Sequence, residues 1–328
     1  MVVNWNRKEL LRACLESLAR QNGAAFETIV VDNGSTDGSA DMAATEFGAR
    51  VIRNPENRGF CAANNQGIQA ARGEFIALLN NDAEAEPDWL AALHGACSRH
   101  AEFGMAASKI LVWEDPTRID KAGHLIFPDG QNRGRGAGAI DRGQFDLEEE
   151  VLWPDGSAAM YRKAMLDEIG GFDEDFFAYG DDAELGLRAR MAGWKCLYAP
   201  RAVVRHRRGA TLGKDSAWRL VLIERNRVLL ALKLFPWSLL LLNPLFYAAR
   251  LAAGVVAARR HGNDTAHFPG IRGKCAIALS LVRGDLAALR LAPRMLRKRR
   301  EIRTIRRLSP RELRRLLWSH RLGLGEVA

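Results

Sequence analysis

Two short apolar runs that each end in a carboxylate constrain this chain more than any other feature: Thr28-Ile-Val-Val-Asp32, and Glu74-Phe-Ile-Ala-Leu-Leu79 followed by Asn80-Asn-Asp82. Runs this short, bounded by turn residues, read as buried strands, while the segments between them carry helical spacing. Lys8 to Gln21 puts Leu10, Leu11, Cys14, Leu15 and Leu18 on one helical face, and Pro87-Asp-Trp-Leu opens a helix with proline in its first turn. Such alternation is the pattern of βαβ units and predicts an α/β fold, a mainly parallel sheet flanked by helices. Polar residues at the carboxyl ends of its strands stand where open α/β sheets bind ligands. Met1-Val-Val reads as a shortened first strand.

Strand signals stop near Thr211, where the composition turns to Leu, Ala and Arg. The expected division is an α/β domain over residues 1–214 and a basic helical region over 215–328. Gly123 to Glu150 lacks periodicity and reads as a long loop over the sheet. Trp237 to Val256 is apolar but interrupted by Asn243, Pro244 and Arg250, which suits a helix lying in a membrane interface better than one spanning it. Pro293 to Arg321 interleaves arginines and Lys298 with Leu296, Ile302, Ile305, Leu313, Leu316 and Trp318. That is a basic amphipathic pattern suited to an anionic membrane surface, although a solvated helix packed on the α/β domain would read the same way.

Apolar residues at 48% and charged residues at 27% exclude a disordered chain. The formal charge of +9 favours anionic partners without choosing among nucleic acid, lipid headgroups and phosphorylated small molecules. Five scattered cysteines with no C-x-x-C pair read as free thiols in a reducing compartment. The opening Met1-Val-Val-Asn-Trp-Asn turns polar at once, unlike a secretory signal, so a cytoplasmic location is expected, peripheral at the inner face of the cell membrane.

Four polar constellations follow strand patterns. Asp32-Asn-Gly-Ser-Thr-Asp-Gly-Ser39 sets a carboxylate before a glycine-rich turn and helix start, which suits a nucleobase or ribose with a nearby phosphate; an ordinary capped turn reads alike. Asn54 to Gly67 is dense in amides, with Arg58 beside Gly59 as a diphosphate or base contact. Asp82 is an acid exposed at a strand terminus, where a hard divalent cation bridging a diphosphate takes its protein ligand. Tyr179-Gly-Asp-Asp-Ala-Glu184 opens a helix with three acids, more than capping needs. His206 ends another strand pattern and gains meaning only if it converges on Asp82.

Together these residues resemble family 2 glycosyltransferases of the GT-A fold, in particular the bacterial rhamnosyltransferase-like branch, over roughly residues 1–235. Val31 to Ser39 looks like that family's nucleotide-binding turn, and Asn57-Arg-Gly-Phe60 with Asn64 and Gly67 like its next block. Leu79-Asn-Asn-Asp82 stands where the family places its D-x-D, with Asn80 in place of the first acid, and Asp181-Asp182 with Leu185 and Arg188 resemble its E-D-x-D-L-x-x-R block. The resemblance implies donor contacts from Asn4, Asn6, Asp32, Asn33, Ser35, Asp37, Arg58, Gly59, Asn64, Asn80 and Asn81. It implies a divalent cation, Mg2+ or Mn2+, on Asp82 and His206, and catalysis by Asp182 with Asp181 beside it. Acceptor-side positions are Trp153 and Gly156 of Trp153-Pro-Asp-Gly-Ser-Ala-Ala-Met160, together with Tyr179, Glu184 and Arg188; Arg225-Asn226 also fits the branch. The resemblance also leads one to expect several more residues of first strand.

The reading that follows is inverting transfer from a nucleoside diphosphate sugar, UDP- or dTDP-linked and with rhamnose suggested by the branch, to a saccharide acceptor, polyprenyl-diphosphate-linked if the tail lies on a membrane. Two rivals remain. A non-catalytic module gripping nucleic acid through the basic tail has no use for the strand-end acids. A nucleotidyltransferase would share the sheet and metal carboxylates but release pyrophosphate. A dinucleotide oxidoreductase is disfavoured, since no G-x-G-x-x-G follows an early strand.

Overall fold

The computed structural model describes residues 1–23, 25–207, 217–261 and 270–327. They form two compact units, Met1–His124 with Gly134–Thr211, and Leu125–Arg133 with Leu212–Ala328. The expected boundary at 214/215 lies outside the described residues.

The first unit opens with three βα steps: β1 (Val2–Asn4), α1 (Lys8–Ala19), β2 (Ile29–Asp32), α2 (Ser39–Phe47), β3 (Arg50–Arg53) and α3 (Gly59–Ala70). The three strands pair in parallel in the order β1-β2-β3. The α1 stripe behaves as its spacing dictates, since Leu11, Cys14, Leu15 and Leu18 are all buried. Each such leucine contributes roughly 1.5–3 kcal/mol of burial.

The chain continues through β4 (Phe75–Leu79), β5 (Ala83–Ala85), α4 (Trp89–Ser98), β6 (Phe103–Val112), β7 (Ile119–Lys121), β8 (His124–Ile126), β9 (Asn132–Gly134), β10 (Glu149–Val151), β11 (Ala158–Arg162), α5 (Lys163–Ile169), α6 (Asp181–Met191) and β12 (Lys195–His206). A seven-stranded sheet runs β10-β12-β6-β11-β4, with β5 on β12 and β7 on β6. Only β6 and β12 pair in parallel here, and β11 is antiparallel to both neighbours. The parallel arrangement thus holds for the front of the chain, where crossover helices separate the strands, and yields to antiparallel pairing later, where loops and hairpins replace them. Backbone bonds from the Met1 amine to the Ala77 carbonyl (2.8 Å) and from Leu79 N to the Met1 carbonyl (3.1 Å) fasten the start of the chain to β4.

The segment expected as one long loop, Gly123 to Glu150, instead holds β8, β9 and the start of β10. Its strands are three residues each, too short to leave a period in the sequence. Residues 125–133 moreover belong to the second unit.

In the second unit every described helix follows the expected loss of strand signal: α7 (Ala217–Leu234), α8 (Trp237–His261), α9 (Gly270–Glu301), α10 (Pro310–Ser319) and α11 (Leu324–Val327). The stretch expected as one basic amphipathic tail is two helices. α9 ends at Glu301, and α10 restarts with a capping box in which Ser309 and Glu312 satisfy each other's backbone N–H groups. Leu313 and Leu317 of α10 are buried, so its apolar side is already packed within the protein.

Candidate active site

The carboxyl ends of β1 and β2 are joined by buried amides. Asn4, fully buried, donates to Asp32 Oδ1 (3.3 Å), Ser35 Oγ (3.2 Å) and Ser39 Oγ (2.8 Å), and accepts from Asn81 Nδ2 (2.8 Å). Asn33 donates to the Gly59 carbonyl (3.1 Å) and accepts from Asn54 (2.9 Å), while Asn64 donates back to the Phe60 carbonyl within α3 (2.9 Å). Asn4, Asn33 and Asn64, expected as donor contacts, are buried and brace the turn from beneath. Asn6 adopts φ 54° so that its Oδ1 accepts from Thr36 N (3.0 Å). Asp37 is exposed and satisfies the N–H groups of Lys8 (2.9 Å) and Ser39 (3.0 Å), two helix-start donors that would otherwise lack partners. Ser35 and Asn80 are partly exposed and Arg58 is fully so. Gly59, at φ 83°, admits the Phe177 ring where a Cβ would approach it to 2.5 Å, and the Phe177 carbonyl accepts from Phe60 N (2.9 Å). That contact fastens the amide-rich block to the loop before α6.

Asp82 and His206 converge. β5 pairs with β12 so that Ala83 faces His206, which brings His206 Nε2 to 3.3 Å from Asp82 Oδ1. On its other side His206 Nδ1 lies 3.1 Å from Asp120 Oδ2, and all three side chains are buried. Burial alone would lower the imidazole pKa, but Asp120 and Asp82 outweigh it and hold His206 at about 9. A carboxylate on the far nitrogen is the usual device for orienting a metal-binding histidine. Asp82 Oδ1 has no hydrogen-bond donor of good geometry. An oxygen and a nitrogen ligand so arranged fit a divalent cation.

Without a cation, the His206 charge stabilises the fold. Its pKa is raised from 6.5, so the contribution is complete below pH 6.5 and is lost as pH rises through about 9. In chelator, the unfolding free energy should fall across that interval by up to about 3 kcal/mol, and His206→Gln should flatten the dependence. A wild-type profile that stays level would contradict this.

A second cluster gathers at the start of α6. Gly180, at φ 70°, precedes Asp181 and Asp182. Asp182 accepts from Gly156 N (3.3 Å) and Ala183 N (2.8 Å), and its Oδ2 lies 3.6 Å from His124 Nε2. His124 contacts Asp155 (2.9 Å), which also pairs with Lys121 (2.5 Å). Burial pushes Asp155 up, but Lys121 and His124 outweigh it and hold its carboxyl well below the ordinary range. Asp182 is raised, chiefly by burial, with His124 pulling it down and Asp155 adding to the rise. Burial and its neighbour Asp182 raise Asp181 well above the ordinary range, while the Asp182 side chain keeps 13% exposure. His124, Asp155 and Asp182 lie close enough to hold a cation, with ligand atoms within 4.8 Å, yet the Lys121 ammonium already stands at Asp155. Lys121 pairs with Asp155 and follows Asp120, the partner of His206, in β7, so it joins the two clusters along that strand.

Three positions expected on the acceptor side are interior. Trp153 is fully buried and stacks on His124 with centroids 5.9 Å apart. Gly186 permits this, because a Cβ there would come within 2.2 Å of Trp153 Cβ. Glu184, fully buried, pairs with Arg188 (2.8 Å), whose guanidinium also donates to the carbonyls of Ile169 (2.5 Å), Gly170 (3.0 Å) and Gly171 (2.6 Å). The Glu184 and Arg188 polar atoms hold the α5–α6 connection; of the other two positions expected on the acceptor side, Gly156 is buried and Tyr179 (φ 68°) is partly exposed. Lys121, Asp120, His124 and Asp155 escaped the sequence reading; only Asp155, between Pro154 and Gly156 in a motif already singled out, gave a local signal.

Comparison with known proteins accords with this layout. The model of glycosyl transferase family 2 matches residues 1–170, and that of glycosyl transferase family group 2 matches residues 140–259. An N-acetylglucosaminyl-diphospho-decaprenol L-rhamnosyltransferase of Mycobacterium tuberculosis is 28% identical over 243 residues, 67% of this chain and 79% of that protein. Among solved structures, GalNAc-T7 with UDP, GalNAc and Mn2+ aligns with TM-score 0.60 at 16% identity, over 76% of this chain and 49% of that one. The mannosyltransferase PcManGT of Pyrobaculum calidifontis with GDP-Man and Mn2+ aligns with TM-score 0.52 at 19% identity, over 97% and 86%. The fold is accordingly GT-A, and the chain is a glycosyltransferase that belongs to glycosyl transferase family 2.

Proposed function

We propose that the enzyme moves a sugar, with inversion, from a nucleoside diphosphate sugar to a hydroxyl of a lipid-linked saccharide in the assembly of surface polysaccharide. The observation that carries this reading is the pair of clusters joined by Lys121, one fit to hold a cation and the other to accept a proton. Asp182 takes the proton from the acceptor hydroxyl, whose oxygen bonds to the anomeric carbon as the bond to the diphosphate breaks and the nucleoside diphosphate leaves with its electron pair. One base suffices for that displacement. His124 and Lys121 oppose the rise that burial imposes on the Asp182 carboxyl. A divalent cation on Asp82 and His206 would offset charge on the departing diphosphate. The turn around Asp32 and Ser35, with Arg58, faces the nucleotide.

The decaprenyl-linked substrate in the name of the mycobacterial relative supports a lipid-linked acceptor, and dTDP-rhamnose is the first donor to try. Such an acceptor places the enzyme at the inner face of the cell membrane, against an anionic surface. A manganese titration of nucleoside diphosphate release tests the cation site. Asp82→Asn should raise the half-saturating concentration, and Asp120→Asn, acting only through the orientation of His206, should raise it by about 10- to 100-fold. Release insensitive to chelator would remove the role of Asp82.

A further inference from the structure

α8 has two unlike faces. One carries Asn243, Tyr247 and Arg250 and is fastened to the C-terminal unit. Asn243 donates to the Asp129 carbonyl (2.9 Å), and Arg250 pairs with Asp129 (2.5 Å) and Glu224 (3.1 Å), both buried. Arg227, itself paired with Glu224 (2.7 Å), lies 4.4 Å over the Tyr247 ring. The opposite face carries Trp237, Leu241, Leu242, Leu245, Val255 and Val256, each 45–77% exposed, and no exposed residue from 237 to 256 is charged. α9 adds a second stripe, Leu279, Val282, Leu286 and Leu289 at 49–63% exposure, bordered by exposed Arg283, Arg290, Arg294 and Arg297.

We infer that the uncharged face of α8, supplemented by the α9 stripe, docks on an anionic lipid bilayer, with α8 lying in the interface and not crossing it. The inference deepens the membrane reading given above and rests on it. Trp237–Val256, 20 residues with mean hydropathy 1.7 over its most apolar 18, is long enough to span. Crossing, however, would draw Asn243 and Arg250 away from Asp129 and Glu224 and leave Arg227 as the cation that both buried carboxylates share, and breaking a buried charge network is strongly unfavourable. Charge complementarity selects lipid over a second copy of the chain. Residues 272–321 hold sixteen lysines and arginines against three acidic residues, so two such surfaces repel while an anionic headgroup layer attracts them. Trp237 lies on the exposed face with the Arg299 guanidinium 4.5 Å from its ring, an aromatic and cationic pairing suited to headgroup level.

The test is co-sedimentation of the full-length protein with phosphatidylcholine vesicles, with and without phosphatidylglycerol, followed by an alkaline carbonate wash. Wild type should bind the anionic vesicles and be released by the wash. Leu241→Asp with Leu245→Asp places charge on positions already exposed and should weaken binding by at least about tenfold while leaving donor hydrolysis unchanged. Undiminished vesicle binding in the double variant would overturn the docking face. Retention through the wash would show a spanning helix, and a lipid-free dimer that the double variant dissolves would show that a second copy covers the face; either overturns the inference. Vesicle binding that depends on Leu241 and Leu245 supports it whether or not any donor is hydrolysed, so failure of the glycosyltransfer reading is told apart.

Discussion

Asp182→Asn is expected to cut sugar transfer by about 10³-fold, within the range that a positioned general base supplies, while donor affinity stays unchanged. The asparagine keeps the shape of the side chain and can still accept from Gly156 N, but it cannot take a proton from the acceptor hydroxyl. The pH profile adds a second readout. Transfer needs Asp182 ionised, and burial raises its pKa, so wild-type rates should fall on the acid side at a pH above the ordinary carboxylate value of 3.8. The variant's residual rate should lack that limb. Equal turnover in variant and wild type would remove Asp182 from the role of base.

Arg188→Met should destabilise the first unit by about 3–5 kcal/mol, because it leaves Glu184 buried and without its cation. The carbonyls of Ile169, Gly170 and Gly171 lose a donor in the same change. A fall in melting temperature on the order of 10 °C follows. Removing both charges, as Glu184→Leu with Arg188→Met, should recover part of the loss, since a buried pair is costly mainly when only one member remains. Residues that instead met the acceptor would change KM while leaving the melting temperature of the single variant where wild type has it.

That contrast marks how far the sequence was legible. Where apolar residues follow a helical period, as in α1, or form a short continuous run, as in β2 and β4, burial follows the pattern directly; Asp32 ends β2 as expected, while Asp82, just before β5, is buried where exposure was expected. Adjacency within a motif was a poorer guide. Trp153, Glu184 and Arg188 stand beside site residues in sequence, yet Trp153 lies in the buried turn before β11 and α6 is buried along almost its whole length. The i, i+4 spacing of Glu184 and Arg188 was itself a signal of their pairing. Lys121, His124 and Asp155 left little trace because they come from β7, β8 and the turn before β11, brought together only by sheet pairing. In the second unit, composition marked helices but not which apolar side is covered. α10 packs its leucines inward and α8 leaves its own outside.

Release of nucleoside diphosphate from a panel of UDP-, dTDP- and GDP-sugars, with manganese or magnesium and with chelator, tests the central claim most directly. The predicted result is metal-dependent release from one donor, rising when a lipid-linked saccharide is added and requiring a higher metal concentration in the Asp82→Asn protein. Silence across the panel, with no donor binding by calorimetry, would contradict it, and pyrophosphate in place of nucleoside diphosphate would assign the site to nucleotidyl transfer.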